Sequence, residues 1–429
     1  MVSKPRSSAA RPSSRPSSRP SQTSAPVHPP VAATAGVLDA FAVTAPGLAP
    51  LVAAELAALG ITPRTVTDAG VAFDATPASL LQANLWSRMT SRVLVRLAAF
   101  EARDFATLEK MAKRVPWQRV LNAGATVRLR VTCRKSRLYH SDAVAERVAR
   151  GIESVIARAR VERHSADEED GEGSAIAQLI IVRFEHDQCT ISADSSGELL
   201  HRRGWRQAIA KAPLRETLAS AMLVACDWSG TEPLVDPFCG SGTLGIEAAL
   251  IARNIAPGLA RPFALEQWPA HNAAESARLR GDARAMQRPS GGVPIVMSDR
   301  DVGACEATEA NAERAGVLGD IVIAQQPLSE TDLTAIGPRG LMLTNPPYGL
   351  RVSDGADLRS LYARMGDVLR EGGHGWRLAM LVPDKQLSAQ LRIPMETRLR
   401  TSNGGIAVTV EMTRATRDRG RGASSSPPP

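Results

Sequence analysis

Aromatic residues make up only 4% of this 429-residue chain, and three of them are tyrosine. That scarcity argues against a surface built from many base-stacking platforms. Cysteine is also sparse. Five stand at positions 133, 189, 226, 239 and 305, and no two are spaced as C-x-x-C. A disulfide framework and a zinc knuckle are both disfavoured, and no metal is expected. No apolar run approaches the roughly 18 residues that a membrane span requires. Residues 1–35 contain no acid and no apolar h-region, so they do not read as a secretory signal. Their Arg/Ser-rich composition overlaps with organellar transit peptides, but Pro5, Pro12, Pro16 and Pro20 interrupt any amphipathic helix. The expected location is the cytoplasm, without a membrane partner.

What is present is an ordinary globular composition, 44% hydrophobic and 22% charged. At roughly 150 residues per domain, two or three domains are expected. The formal net charge is +8, which taken alone points to a polyanion. Its location changes that reading. Residues 1–35 carry five basic groups and no acid, and residues 412–429 carry four basic groups against Asp418. The tails hold the whole excess, and the body is neutral. Residues 1–35 repeat Arg-Pro-Ser-Ser, and 414–429 end in Ser and Pro runs, so both read as disordered tails. A solubilising role and a salt-sensitive RNA tether are equally open for them.

Inside the neutral body the charge is split. Residues 84–163 hold 18 basic groups against seven acidic ones, whereas residues 211–411 are slightly acidic. Solvated surface helices would account for such density. The stretch Arg134-Lys135-Ser136-Arg137-Leu138-Tyr139-His140 favours a phosphate-contacting face instead, with four potential cations and one tyrosine in seven residues. Strand-like runs at 38–44, 92–99, 126–132, 175–184 and 189–192 mix with helix-like runs at 49–59, 77–86 and 141–159. Ser141 and Asp142 are expected to cap the last of these. The front half, residues 36–200, therefore reads as an α+β region. The acidic run 167–172 reads as a solvated loop in it.

The rhythm changes from about Lys211. Helices at 214–226, 243–253, 301–315 and 358–370 alternate with strands at 233–237, 294–298, 321–324, 341–344 and 377–382. That spacing predicts an α/β, doubly wound parallel sheet, with ligands at the C-terminal ends of its strands. Val235-Asp236-Pro237-Phe238-Cys239-Gly240-Ser241-Gly242-Thr243-Leu244-Gly245 spells G-x-G-x-x-G between a strand and a helix. Nicotinamide enzymes share that spacing. Asp236 at the strand tip would repel a pyrophosphate and suits a cationic amino-acid end, which favours S-adenosylmethionine (SAM). Asp299, ending the next strand, can accept hydrogen bonds from ribose hydroxyls, while Asp301 is expected to cap the following helix. Residues 254–292 form an insertion, whose Trp268 and His271 are read as core packing rather than substrate contacts.

Thr344-Asn345-Pro346-Pro347-Tyr348-Gly349 closes the apolar strand at 341–344. Two prolines fix a rigid extended turn. Such a turn can aim the Asn345 side-chain carbonyl and the Pro346 main-chain carbonyl at one exocyclic amino group. Tyr348 offers a flat face for stacking a base or amide. No strong base is needed beforehand, because the proton can leave after methyl transfer.

These residues resemble the class I SAM-dependent methyltransferases that modify planar amino nitrogens. Arg202-Arg203-Gly204-Trp205-Arg206 and Ala212-Pro213-Leu214-Arg215-Glu216-Thr217-Leu218-Ala219 resemble the lead-in of the THUMP-containing RNA guanine-N2 methyltransferases. The stretch from Ser136 to Asp142 resembles the THUMP domain itself. The similarity runs from about residue 38 to 413 and is nearest to the bacterial 23S rRNA enzymes in their single-methyltransferase form. Archaeal and related tRNA enzymes share the layout.

The resemblance implies a ferredoxin-like segment and a THUMP module over residues 36–200. It implies a Rossmann-like catalytic domain over residues 201–413. SAM is the implied cofactor and RNA the implied partner, rRNA before tRNA. Asp236, Phe238, Gly240, Gly242, Thr243, Asp299, Gln326 and Thr217 are the implied cofactor-binding residues. Asn345, Pro346, Pro347 and Tyr348 are the implied catalytic turn, and Arg134, Lys135, Arg137, Tyr139 and His140 the implied RNA contacts. One position departs. The family places an Asp after the third strand, and here the run is Ala324-Gln325-Gln326-Pro327, leaving Gln326 or a main-chain carbonyl to meet the adenine. Adenine-N6 methylation of DNA and methylation of a protein glutamine use the same turn. A nicotinamide oxidoreductase and a non-catalytic RNA-binding factor are the remaining alternatives. Asp236 and the catalytic turn argue against the first, and the intact catalytic turn argues against the second.

Overall fold

The computed structural model describes residues 36–163, 177–207, 214–348 and 358–414. Both tails, the acidic run 167–172, Ala212, Pro213 and Gly349 lie outside the described residues. The front half holds β1 (Leu38–Val43), α1 (Ala49–Ala58), β2 (Pro63–Thr67), β3 (Gly70–Ala75), α2 (Pro77–Trp86), β4 (Arg92–Glu101) and α3 (Phe105–Ala112). It continues with β5 (Thr126–Arg134), α4 (Ser141–Val155), β6 (Arg160–Arg163), β7 (Gln178–Glu185) and β8 (Gln188–Asp194). The eight strands form one sheet in the order β2-β3-β1-β4-β8-β7-β5-β6. The antiparallel β4–β8 pair fuses the ferredoxin-like half to the THUMP half.

Local chemistry explains the element starts. Pro77 follows a capping box in which Thr76 Oγ1 accepts from Ser79 N and Ser79 Oγ accepts from Thr76 N. The helix expected at 141–159 begins at Ser141 but stops at Val155, because the chain turns at once into β6 alongside β5. Its cap is His140, with no side-chain hydrogen bond, so Ser141 and Asp142 are first-turn residues rather than the cap. The pattern also missed β2, a mostly exposed edge strand whose Pro63 can sit at a sheet margin, the strands β3 and β6, and the helix α3.

The back half holds α5 (Glu216–Ala225), β9 (Leu234–Asp236), α6 (Thr243–Ala252), α7 (Ala273–Ala285), β10 (Ile295–Asp299), α8 (Val302–Arg314) and β11 (Ile321–Gln325). Then come α9 (Leu333–Ile336), β12 (Gly340–Thr344), α10 (Leu358–Glu371), β13 (Trp376–Val382), α11 (Lys385–Ala389), β14 (Met395–Asn403) and β15 (Ile406–Thr413). The sheet order is β11-β10-β9-β12-β13-β15-β14. The first five are parallel and β15 is antiparallel to both of its neighbours. This is the class I methyltransferase arrangement. All five residues of β12 are buried, as a central parallel strand covered on both faces requires. The chain reverses its direction of sheet growth at β9, between β10 and β12, and that switch point opens a crevice at the strand ends.

Buried polar contacts join the two halves. Arg203 donates to Glu247 Oε1 at 3.3 Å, to Leu200 O at 2.6 Å and to Arg88 O at 2.5 Å. Ser220 Oγ donates to the other Glu247 oxygen at 2.5 Å. Trp268, in the insertion, is buried as expected, and its Nε1 donates to Gln178 Oε1 at 2.7 Å. The insertion therefore packs on the front sheet. His271 stands beside it, half-buried.

Candidate functional site

Three strand ends meet at the crevice. Asp236 ends β9 with its side chain 2% exposed. Its Oδ1 accepts from Thr344 Oγ1 at 2.7 Å and from Phe238 N at 3.1 Å. Burial pushes its carboxyl up to about 7, against the pull of those two hydrogen bonds, and the nearby charge of Asp299 raises it further. The causes of that shift include no cation.

Asp299 ends β10. Its Oδ2 accepts from Gly240 N and its Oδ1 from Asp301 N, each at 3.1 Å. Asp301 caps α8 as expected, accepting from Gly303 N at 2.9 Å.

The glycines of the loop divide the work. Gly240 and Gly242 have φ of +56° and +87°, a region that side chains penalise. A Cβ on Gly240 would meet nothing within 4 Å, so that residue borders open space where a ligand can approach the backbone. A Cβ on Gly242 would lie 2.9 Å from Thr308 Cγ2. A Cβ on Gly245 would lie 2.0 Å from Met297 Sδ, so the third glycine serves helix-to-strand packing. Gly242 caps α6 with no side-chain hydrogen bond, which leaves the first helical N–H groups to a ligand. The loop is pinned from α8, where Thr308 Oγ1 donates to Gly240 O at 3.0 Å and Asn311 Nδ2 to Ser241 O at 2.9 Å.

Two other cofactor candidates are buried in the wall. Thr217 lies in the first turn of α5. Thr243 Oγ1 accepts from Arg206 Nη2 at 2.7 Å. Arg206 also donates to Leu214 O at 2.7 Å, pairs with Glu216 at 2.9 Å, and lies 5.4 Å from the centroid of Trp205. The Thr243 side chain is thereby tied to the lead-in segment. Phe238 packs against the cluster of Met342, Tyr362 and Met380. Gln326 is half-buried just past β11, its main-chain N donating to Asp299 O at 3.0 Å.

The turn after β12 carries a polar anomaly. Asn345 Oδ1 is buried and, among the described residues, has no hydrogen-bond partner. Such an orphaned carbonyl costs on the order of 1–3 kcal/mol. Pro346 is buried beside it, and Pro347 is exposed, its carbonyl accepting from Tyr362 Oη at 3.5 Å. Tyr348 is half-buried, and its hydroxyl accepts from Asn403 Nδ2 at 3.1 Å.

Arg134, the last residue of β5, is exposed, as are Lys135, Arg137, Tyr139 and His140 on the loop that leads to α4. The loop is nonetheless fixed. Leu138 is 5% exposed and anchors it, Arg137 N donates to Asp187 Oδ1 at 2.7 Å, and Asp187 N donates to Ser136 Oγ at 3.0 Å. The rings of Tyr139 and His140 stack tilted at 4.0 Å. Sequence reasoning brought this loop together, but it assigned no role to Thr344, Thr308, Asn311 or Asn403. These lie 55 to 108 residues from their partners, so no local motif marks them. Among the described residues, no group of three or more His, Cys, Asp or Glu could hold a metal, and no helix is long and apolar enough to cross a membrane.

Comparison with known proteins places this geometry. Residues 203–410 match the RMKL-like methyltransferase domain, residues 39–94 the RlmL ferredoxin-like domain and residues 102–194 the THUMP domain. The Synechocystis sp. protein slr0064, provisionally named an RNA methyltransferase, is 34% identical over 86% of this chain and 95% of its own. The ribosomal RNA large subunit methyltransferase K/L of Syntrophotalea carbinolica is 37% identical over 85% of this chain and 52% of its own. The chain thus spans about half the length of that relative. Among solved structures, SMU.472, provisionally named a methyltransferase and complexed with S-adenosylhomocysteine, superposes with a TM-score of 0.78. It is 26% identical and covers 90% of this chain and 100% of its own. A Listeria monocytogenes protein named as an N6-adenine-specific DNA methylase gives 0.76 at 28% identity, covering 89% and 97%.

Proposed function

Since the chain belongs to the RlmL-type SAM-dependent methyltransferases, which join ferredoxin-like and THUMP domains to an RMKL-like catalytic domain, we propose that it methylates an exocyclic guanine N2 in RNA. Large-subunit rRNA is the favoured substrate and tRNA the alternative. The observation that carries the reading is the buried Asn345 Oδ1 just past β12, which has no hydrogen-bond partner among the described residues. An amino group supplies the missing donor. Asn345 and the Pro346 carbonyl hold its two N–H bonds, which turns the nitrogen lone pair toward the crevice. Tyr348 stacks the flipped base. SAM, when bound, supplies the methyl group. Asp236 holds its cationic end, Asp299 its ribose, and the backbone at Gly240 and Gly242 its close approach. Phe238, Thr243, Gln326 and Thr217 line or support that pocket.

The deciding experiment incubates the protein with methyl-labelled SAM and each of rRNA, tRNA and genomic DNA, then digests the product to nucleosides. N2-methylguanosine is the expected labelled species. Label in N6-methyladenine of DNA, the activity named for the Listeria neighbour, or in protein would overturn the proposal.

Two further outcomes follow from the site. A cation at Asp236 needs the carboxylate, whose protonation falls near pH 7. Cofactor affinity is therefore expected to weaken about tenfold per pH unit below 7 and to level off above it. Titration calorimetry at pH 5.5 to 8 checks this, and Asp236→Asn should flatten the profile. The sign for stability is opposite. A carboxyl raised above its ordinary value contributes fully at low pH, and that contribution is lost as pH rises toward 7. At the loop, Arg134→Ala and Arg137→Ala are expected to weaken RNA binding irrespective of sequence and to lower the salt slope by about one per phosphate contact removed. Filter binding between 50 and 200 mM salt reads both.

A further inference from the structure

The Tyr348 hydroxyl accepts a hydrogen bond from Asn403 Nδ2 at 3.1 Å, across 55 residues of sequence. Tyr348 closes the turn after β12. Asn403 ends β14 at the far margin of the same sheet, two strands beyond β13. Asn403 pairs with Ile406 across Gly404 and Gly405, whose φ of +57° and +83° fit the tight two-residue turn with matching twist. The hairpin it terminates is paired from Met395 to Asn403, and β15 is in turn paired to β13. The Asn403 amide is therefore a donor held by the sheet. A tyrosine ring that stacks a planar substrate has two soft torsions, and a fixed partner at its hydroxyl removes much of that swing. The Asn403 amide N–H donates and the phenolic oxygen accepts.

We infer that Asn403 is a positioning residue that sets the plane of Tyr348 for base stacking. The inference rests on the reading of the turn as catalytic. The hairpin tip thereby becomes part of the substrate cleft, although it contributes no residue to the motif that marks the site.

The test is a double-mutant cycle on the full chain, with steady-state kinetics on RNA, cofactor affinity by calorimetry, and thermal unfolding. Asn403→Ala and Tyr348→Phe should each lower kcat/KM for RNA by about fivefold to tenfold, the scale of one neutral hydrogen bond. Cofactor affinity should not change. The double variant should be no slower than either single one, because both remove the same bond. Asn403→Asp offers an acceptor to the Tyr348 hydroxyl and should restore at least half of the rate lost in Asn403→Ala. Fully additive losses, or an Asn403→Ala enzyme with wild-type kinetics, would overturn the inference. Tyr348→Phe leaves the hairpin untouched, so the cycle stays readable even if the Asn403 variants unfold more easily. Asn345→Ala separates the premises. An active Asn345→Ala enzyme removes the catalytic reading itself, whereas an inactive one with additive Asn403 and Tyr348 effects removes the positioning role alone.

Discussion

Asn345→Ala is expected to lower kcat by about a thousandfold or more while the unfolding midpoint stays unchanged or rises. The first half follows from where the Asn345 carbonyl sits. It is buried at the end of a strand whose residues are all buried, on a turn stiffened by Pro346 and Pro347. Such a group is preorganised, so its interaction with a substrate amino group costs no reorganisation when the group reacts. Removing one preorganised polar contact of this kind costs about 10²–10³ in rate. Loss of the orientation that aims the nitrogen lone pair adds to that. The second half follows from the orphaned oxygen. A buried carbonyl with no partner destabilises the free protein, and alanine removes it. Most buried substitutions lose activity and stability together. This one is expected to separate them, and calorimetric cofactor binding should stay within about twofold of wild type, because Asp236, Asp299 and the glycine loop are untouched. A variant that loses stability in step with activity would mean that Asn345 is a structural residue.

That separation also explains why the turn was readable before the fold was known. Asn345, Pro346, Pro347 and Tyr348 are contiguous, and their chemistry is local: two rigid residues, one acceptor and one ring. Asp236 and Asp299 were readable for a similar reason, as acids closing apolar runs in an alternating pattern. The parallel sheet was legible because buried strands such as β12 and β13 are apolar throughout. The β14–β15 hairpin was not. Its strands carry Glu396, Arg398, Arg400 and Ser402 among partly exposed positions, and neither matches a buried parallel strand nor precedes a helix. The sequence reading stopped at β13 and so had no frame on which to place Asn403. Arg206 and Thr308 were hidden differently. Each acts through space on the glycine loop, and an arginine or threonine near a helix carries no local sign of what it will touch.

Glu247→Ala is expected to destabilise the protein by about 3–5 kcal/mol. Glu247 is fully buried in α6, and Arg203 is 3% exposed. Two desolvated charges are kept because each completes the other, with Ser220 on one side and the carbonyls of Leu200 and Arg88 on the other. Truncating Glu247 removes the carboxylate that Arg203 contacts directly and leaves the guanidinium inside with only the more distant Glu55 and Glu216, which costs more than the pair ever contributed. Arg203→Met combined with Glu247→Leu removes both charges and fills their volume, so the double variant should be more stable than Glu247→Ala by several kcal/mol. Urea unfolding of the three proteins reads the difference as midpoints at matched slopes. The ranking is the diagnostic: wild type and the double variant close together, Glu247→Ala far below. A Glu247→Ala midpoint equal to wild type would mean that water reaches Arg203. The location of the pair gives the ranking a second meaning. Arg203 bonds the carbonyl of Arg88 in the front half and the carboxylate of Glu247 on the helix that follows the glycine loop. The same guanidinium that neutralises a buried acid thus fixes the basic front half against the cofactor crevice. An apolar double variant would keep stability but lose that directional contact, so its KM for RNA should rise while cofactor affinity holds.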